Sequence, residues 1–396
     1  MPNQCEQIRK EYEDLKALKQ EFDLEYQKAV ETGNLDKAKE LKAKLERKRD
    51  ALTEKLWTFE NLSPKELKEQ YESQKEIMKK VGILEKLSTG EMGIKGIDNK
   101  EYAFPTYQEI AKRMKENKEM LKIKTEQGFN QLLIVPFGMK LDDLIEKYKN
   151  LLWQHYKDKK LFATMANPKK TPKFPDDLPF DKDTIKKIKS REIRYGDVWE
   201  KTGDVHQSKN SALFAWEKYQ NADINGELAY FPKEFSKNHQ GKTKLEILKE
   251  QGGFNILFIE DMPNIPRGPK KDDRGKIIEQ GKGKEIKGRK QLEAGQKPNE
   301  YLEILKTDPQ YQNETGMTPE EQIIYAIKHL EQTNQVIDNW QGKGSLSYQL
   351  GAYFPAGDLV PGAFWGRGAR RAFLGRCDPG SSDSGGGARG AVRVPA

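Results

Sequence analysis

The last 46 residues differ in kind from everything before them. Residues 351–396 read GAYFPAGDLVPGAFWGRGARRAFLGRCDPGSSDSGGGARGAVRVPA and contain no Lys, Glu, Gln or Met, in a chain of 396 residues of which 33% are charged. This run cannot make a long helix, because Gly and Pro interrupt it every few residues. Its apolar residues cluster as YQLGAYFP (348–355), LVPGAFW, RAFLG and AVRV, each bounded by Gly, Pro or Asp. That punctuation predicts short strands and tight turns. A disordered Arg/Gly tail lacks such clusters. The intervening RCDPGSSDSGGGA is turn chemistry throughout and predicts an exposed loop.

The other end is written in Lys and Glu. Ile8, Tyr12, Leu15, Phe22, Tyr26 and Ala29 recur at spacings of three and four, and Leu35, Ala38, Leu45, Leu52, Leu56 and Phe59 form a second series. TGNLD at 32–36 separates them, with Gly33-Asn34 suited to a helix end. The pattern predicts an antiparallel coiled-coil hairpin over 1–60, an oligomerisation or spacer device. A homo-oligomer through these helices is therefore an expected partner. Ser63 and Pro64 open a further helix over 63–82. STGEMGIKGIDN (88–99) reads as a Gly-rich linker, so 61–98 is taken as helix plus linker. A helix–strand–helix unit follows over 99–165, with the strand at NQLLIVPF. Residues 166–193 read as a Pro-rich linker and 194–396 as the final domain.

Two stretches echo one another: EQGFNQLLIVP (126–136) and EQGGFNILFIEDMP (250–263), each after a Lys/Glu-rich helical segment. They predict a duplicated helix–strand unit or two similar turns; one pair does not make a repeat array. The stretch 318–340 predicts an amphipathic helix, with Thr318 as N-cap, Pro319 at N1, Glu321 closing a capping box, and Ile324, Ile327 and Leu330 as its apolar stripe. PRGPKKDDRGKIIEQGKGKEIKGRKQLEAGQKP (266–298) reads as a solvated basic loop. It is the best nucleic-acid candidate, but it lacks the interleaved aromatics on which single strands stack.

Catalytic and metal motifs fail on inspection. HQGKTK (239–244) holds the GKT of a phosphate loop, but Ser236 occupies the position of the required first Gly. NADINGEL (221–228) opens like a calcium loop, yet its twelfth position is Pro232. His155, His206, His239 and His329 have no ligand spacing. Cys5 and Cys377 lie at opposite ends, which predicts a reducing compartment and a bystander thiol at Cys377. No cofactor and no metal are expected. The net charge of +8 allows a nucleic-acid partner without demanding one. No segment has the length of a membrane span, and the expectation is a soluble cytoplasmic protein.

The tail also carries a family resemblance. Gly362-Ala363-Phe364-Trp365, Arg370-Arg371-Ala372, Asp378-Pro379-Gly380, and Gly387-Ala388-Arg389 with Val392-Arg393-Val394 follow one another. In that order they resemble the C-terminus of the variable proteins of diversity-generating retroelements, above all those of candidate-phyla bacteria. More weakly, FPTYQEI, LLIVP and GFNILFIEDMP look like the body of the same bacterial proteins. Such proteins end in a C-type-lectin-like fold related to the formylglycine-generating-enzyme (sulfatase-modifying factor) group. The specific match covers about the last fifty residues. Two departures stand out: Ala388 replaces an aromatic, and the cysteine pair of the formylglycine enzymes has no counterpart beside Cys377.

The resemblance implies a display role in place of an oxidase. In that family a reverse transcriptase overwrites the 3′ end of the gene and substitutes at adenines. Codons AAC and AAT so varied reach Gly, Ser, Asp, Arg, Cys, Phe, Tyr and Ala, but not Lys, Glu, Gln, Met or Trp. By that logic the ligand-binding, variable candidates within 351–396 are Asp358, Phe364, Gly366, Gly368, Ala369, Phe373, Cys377, Ser381, Ser382, Asp383 and Ser384. The scaffold candidates are Trp365, Arg370, Arg371, Gly387 and Arg389. The expected molecule is an α+β protein with an N-terminal coiled-coil hairpin, a central α/β region and a C-type-lectin-like domain. It binds an unknown protein or surface ligand without catalysis. The alternatives are a nucleic-acid-binding or scaffolding protein using 266–298 and the Arg-rich tail, and a formylglycine-type oxidase.

Overall fold

The computed structural model describes residues 4–32, 35–56, 62–158, 182–190, 213–214, 216–266, 270–271, 277–278, 283–340, 344–366, 371–382 and 385–395. The architecture is mixed α+β, with helices first and sheets towards the C-terminus. Helices α1 (Gln4–Thr32) and α2 (Asp36–Leu56) lie side by side. The buried residues between them are Leu18, Ala29, Ala38 and Leu41, with Leu15, Phe22 and Leu45 half-buried. Tyr12, Tyr26 and Leu35, expected in the seam, are exposed. Tyr12 and Tyr26 fall to one side of the buried line because each residue advances about 100° round a helix, and Leu35 precedes the first residue of α2. The Gly33-Asn34 turn, Phe59 and the side chains of Ile8, Leu52 and Leu56 lie outside the described residues.

Helix α3 (Pro64–Lys80) begins as the sequence predicts, with Ser63 and Glu66 forming a reciprocal capping box and Pro64 in the first turn. The expected linker at 88–99 is instead part of a three-stranded antiparallel meander of β1 (Glu85–Lys86), β2 (Met92–Lys95) and β3 (Glu101–Ala103). Its glycines permit close strand approach, and Ile94 is buried against the body. The following helix breaks at Asn117 into α4 (Tyr107–Glu116) and α5 (Lys118–Glu126). Strand β4 (Gln131–Val135), α6 (Leu141–Lys157), α7 (Lys182–Lys189), β5 (Leu213–Phe214), β6 (Ala229–Tyr230), α8 (Lys244–Gln251) and β7 (Asn255–Ile259) come next. Helix α7 thus falls inside the expected linker 166–193; residues 166–181 and 191–212, His206 among them, lie outside the described residues.

The two echoing sequences meet. β4 and β7 pair antiparallel from Gln131 opposite Ile259 to Val135 opposite Asn255. Leu132 faces Phe258 and Leu133 faces Leu257, a register symmetric under the alignment of the two sequences. β7 has a second neighbour, β19 (Gly390–Val394), which also pairs with β12 (Thr315–Gly316). β4 has none. Its free edge meets two glutamines four residues apart on α3. The Gln70 amide donates to Asn130 O (2.9 Å) and accepts from Leu132 N (2.7 Å). The Gln74 amide donates to Ile134 O (2.7 Å) and accepts from Ile134 N (3.1 Å). One helical step of four residues is about 6 Å, close to the two-residue repeat of strand edge groups.

The 266–298 stretch is partly built into the body. Antiparallel pairs of β8 (Lys270–Lys271) with β9 (Ile277–Ile278) and β10 (Glu285–Ile286) with β11 (Arg289–Lys290) replace the open loop in its described parts. Arg289 is fully buried between Phe129 and Tyr311. It donates to Glu314 Oε1 at 2.6 Å and to Glu260 Oε1 at 3.0 Å. Lys124 adds a bond to Glu314 at 2.7 Å. These charges satisfy one another, as burial requires.

Helix α9 (Pro298–Thr307) and α10 (Pro319–Thr333) follow. Thr318, Pro319 and Glu321 cap α10 as predicted, but the helix ends at Thr333 with Asn334 in the left-handed region. It is not amphipathic. Pro319 to Lys328 are all buried, because α3, α6, β4 and the later strand Val360–Gly366 surround it. Two of its buried charged residues are paired inside: Glu320 accepts from Lys244 (2.9 Å) and Tyr230 (2.6 Å), and Lys328 donates to Leu132 O (2.7 Å).

The tail supplies the short strands that its punctuation predicts. β13 (Asn339–Trp340), β14 (Leu346–Tyr348), β15 (Ala352–Tyr353), β16 (Val360–Gly366), β17 (Arg371–Cys377) and β18 (Gly386–Ala388) precede β19. A six-stranded sheet runs β18-β14-β16-β17-β5, with β13 also on β16. The tail is not an independent unit: β19 inserts between β12 and β7. One core draws apolar residues from Leu62 to Val394, joining the stretches 61–98, 99–165 and 194–396. A second, smaller core gathers Tyr301, Leu305, Tyr348, Val360 and Ala388. Among the described residues no helix is long and apolar enough to cross a membrane.

Candidate ligand-binding face

β16 and β17 form an antiparallel hairpin paired from Val360 opposite Cys377 to Gly366 opposite Arg371. Side chains alternate across a strand, so the hairpin has two distinct faces. Ala363, Trp365, Ala372 and Leu374 point inward, and all four join the main core. Phe364, Gly366, Arg371, Phe373 and Gly375 occupy the other face. The second core covers the β14 side of that face and has Cys377 at its margin. The end holding Phe364 and Phe373 is left half-exposed.

This open end has a defined geometry. The cross-strand rings of Phe364 and Phe373 stack at 4.6 Å with 5° between their planes. Trp340 meets Phe364 edge-on at 5.0 Å, and the Arg371 guanidinium lies 5.5 Å from the Phe373 centroid. Aromatic pairs of this kind add about 0.5–1.5 kcal/mol beyond area burial. The result is a small aromatic platform edged by a cation. Gly375 is next along β17, and a Cβ added there would meet nothing within 4 Å. A Cβ at Gly366 would run into the Phe373 ring. The two positions therefore differ in how freely they can carry a side chain.

The inner face is anchored through a residue that the sequence did not single out. Asp338 adopts φ 53, a left-handed conformation tolerated by Asp and Asn. Its carbonyl accepts the Trp365 N–H at 2.8 Å. Its carboxylate takes both ends of the Arg389 guanidinium, at 2.5 and 2.7 Å, and a bond from Gln322 at 2.7 Å. Arg389 also donates to Met262 O, Pro263 O and the Ser347 hydroxyl. Desolvation opposes its charge, but Asp338 more than offsets this and holds the guanidinium pKa above the ordinary arginine value. Trp365 and Arg389, far apart on the tail, thus converge on Asp338. A cavity of about 20 Å³ lies beside it, lined by Tyr148, Gln322, Asp338 and Trp365, with room for one water.

The remaining sequence candidates spread along the hairpin. Gly387 sits where a Cβ would fall 2.7 Å from Ile265 and 3.1 Å from Ala294. Asp358 is exposed and accepts from Tyr353 at 2.5 Å. Ser381 and Ser382 are exposed on the loop after β17, where the Asp378 carboxylate accepts from Gly380 N (2.7 Å) and Ser381 Oγ (3.0 Å). Asp358, Cys377, Ser381 and Ser382 lie at the end opposite Phe364, Gly366 and Phe373. Gly368, Ala369, Arg370, Asp383 and Ser384 lie outside the described residues.

The rejected motifs have structural roles. Thr243 of GKT is the N-cap of α8, and Lys242 pairs with Glu250 at 2.6 Å. Among the described residues no group of three or more His, Cys, Asp or Glu is placed to hold a metal. No protein-family model, curated protein or solved structure matches the chain.

Proposed function

We propose that this protein binds its ligand non-catalytically through the open face of the β16–β17 hairpin, on a C-type-lectin-like scaffold whose displayed residues are diversified. The observation that carries the reading is the division of one hairpin into two roles. Its inner residues are held by the core and the Asp338–Arg389 pair, while its outer residues end in a half-exposed aromatic platform with an unobstructed Gly375 beside it. Substitution on such an outer face changes the binding surface and leaves the scaffold standing, as in loop-on-scaffold binders. The resemblance of the tail to retroelement variable proteins supports the same reading.

The test is the DNA around the gene. A reverse-transcriptase gene is expected nearby, with a near-copy of the stretch encoding 351–396 that differs only where it carries adenine. The differing codons should fall on outward positions such as 364, 366 and 373, and not on 363, 365, 372 or 374. A complete genome with neither element, or differences concentrated on the inner positions, would overturn the proposal.

A further inference from the structure

The N-terminal hairpin has used only part of its apolar surface. The Leu18 and Ala29 line of α1 is buried against α2, but Tyr12, Tyr26 and Val30 are 58%, 50% and 64% exposed. They are not scattered. Tyr12 and Tyr26 are fourteen residues apart, two full heptads, and Val30 is one turn further on. At 100° per residue they share one stripe, set about a quarter turn from the buried line. A quarter turn is the angle between the two neighbours of any helix in a square four-helix bundle.

Charge says what fits there. α1 carries eight acidic and five basic residues, whereas α2 carries five acidic and eight basic. Within the hairpin this already yields a cross-helix pair, Glu25 with Lys37 at 3.3 Å. A second hairpin related by a twofold axis sets each acidic α1 beside the basic α2 of its partner, so that charge alternates round the bundle. The lysine stems of α2 then cover the tyrosine stripe, and their ammonium groups reach the rings and the α1 carboxylates.

We infer that the protein forms a twofold dimer through its N-terminal hairpins, with the Tyr12–Tyr26–Val30 stripe of α1 packed against α2 of a second copy. The contact is isologous and closes on itself, so assembly stops at two. It is independent of the ligand-binding proposal.

Light scattering on the full-length chain tests it. From micromolar concentration upward the mass should be that of two chains. Tyr12→Glu with Tyr26→Glu should return it to one chain with unchanged far-UV dichroism, whereas Tyr12→Phe with Tyr26→Phe and the single change Leu24→Glu, on another side of α1, should leave the dimer intact. Raising salt to about 1 M, where the screening length is about 3 Å, should weaken it severalfold. A one-chain mass throughout, including one whose hairpin engages a different protein, overturns the inference. So does a dimer that survives the double glutamate variant, or one that Leu24→Glu dissociates equally well.

Discussion

The two faces of the β16–β17 hairpin are made by the same fourteen residues and obey opposite rules. On the inner face every side chain has a fixed place: Trp365 and Leu374 lie in the main core, and the strand is tied to Asp338. On the outer face the rings are ordered by lateral contacts, Phe364 with Phe373 and Arg371 with Phe373 on the hairpin, and Trp340 of β13 edge-on against Phe364. The lesson is that strand alternation alone can separate what holds a fold from what a fold displays. A turn-rich loop is not required for that separation.

The comparison can be broken most severely at Arg389. Arg389→Ala leaves the buried Asp338 carboxylate without its partner, and breaking such a pair costs about 3–5 kcal/mol. Urea unfolding should show that loss; a change within experimental error would mean that the inner face has no such anchor. Trp365→Ala empties a large core site and is expected to cost about 3 kcal/mol, seen as a matching fall in the unfolding midpoint.

Smaller effects sharpen the contrast. Gly366→Ser pushes a Cβ into the Phe373 ring and should cost about 1 kcal/mol, a penalty that disappears in the Phe373→Ala background. A double-mutant cycle with no coupling would show that these outer positions vary independently. Gly375→Ser has open space around its new Cβ and should change stability by no more than about 0.5 kcal/mol. Were it as costly as Trp365→Ala, the two faces would not differ at all.

Much of this was legible locally. The capping boxes at Ser63 and Thr318 were readable because each is completed within three residues. The tail strands were readable because Gly, Pro and Asp mark their ends. What was hidden depends on distant partners. Nothing near Asp338 announces Arg389, 51 residues later. Arg289 sits in a basic run that reads as solvated, and only Glu260 and Glu314 bring it inside. Helix α10 looked one-sided because its buried Glu320 and Lys328 are polar; the Lys244 ammonium that pairs the first and the Leu132 carbonyl that accepts from the second come from other elements. The Tyr12 and Tyr26 seam was misplaced because three-and-four spacing fits more than one stripe of a helix.

Gln70 and Gln74 act as a guard on the β4 edge. An unpaired strand edge is a template on which another chain can grow. β4 reads QLLIV, an uncharged and strongly strand-forming segment of the kind that seeds cross-β growth. Two side-chain amides on α3 imitate the missing neighbour strand and terminate it. Their removal would therefore be felt less in the folded molecule than in its solubility, through molecules that add to one another along β4.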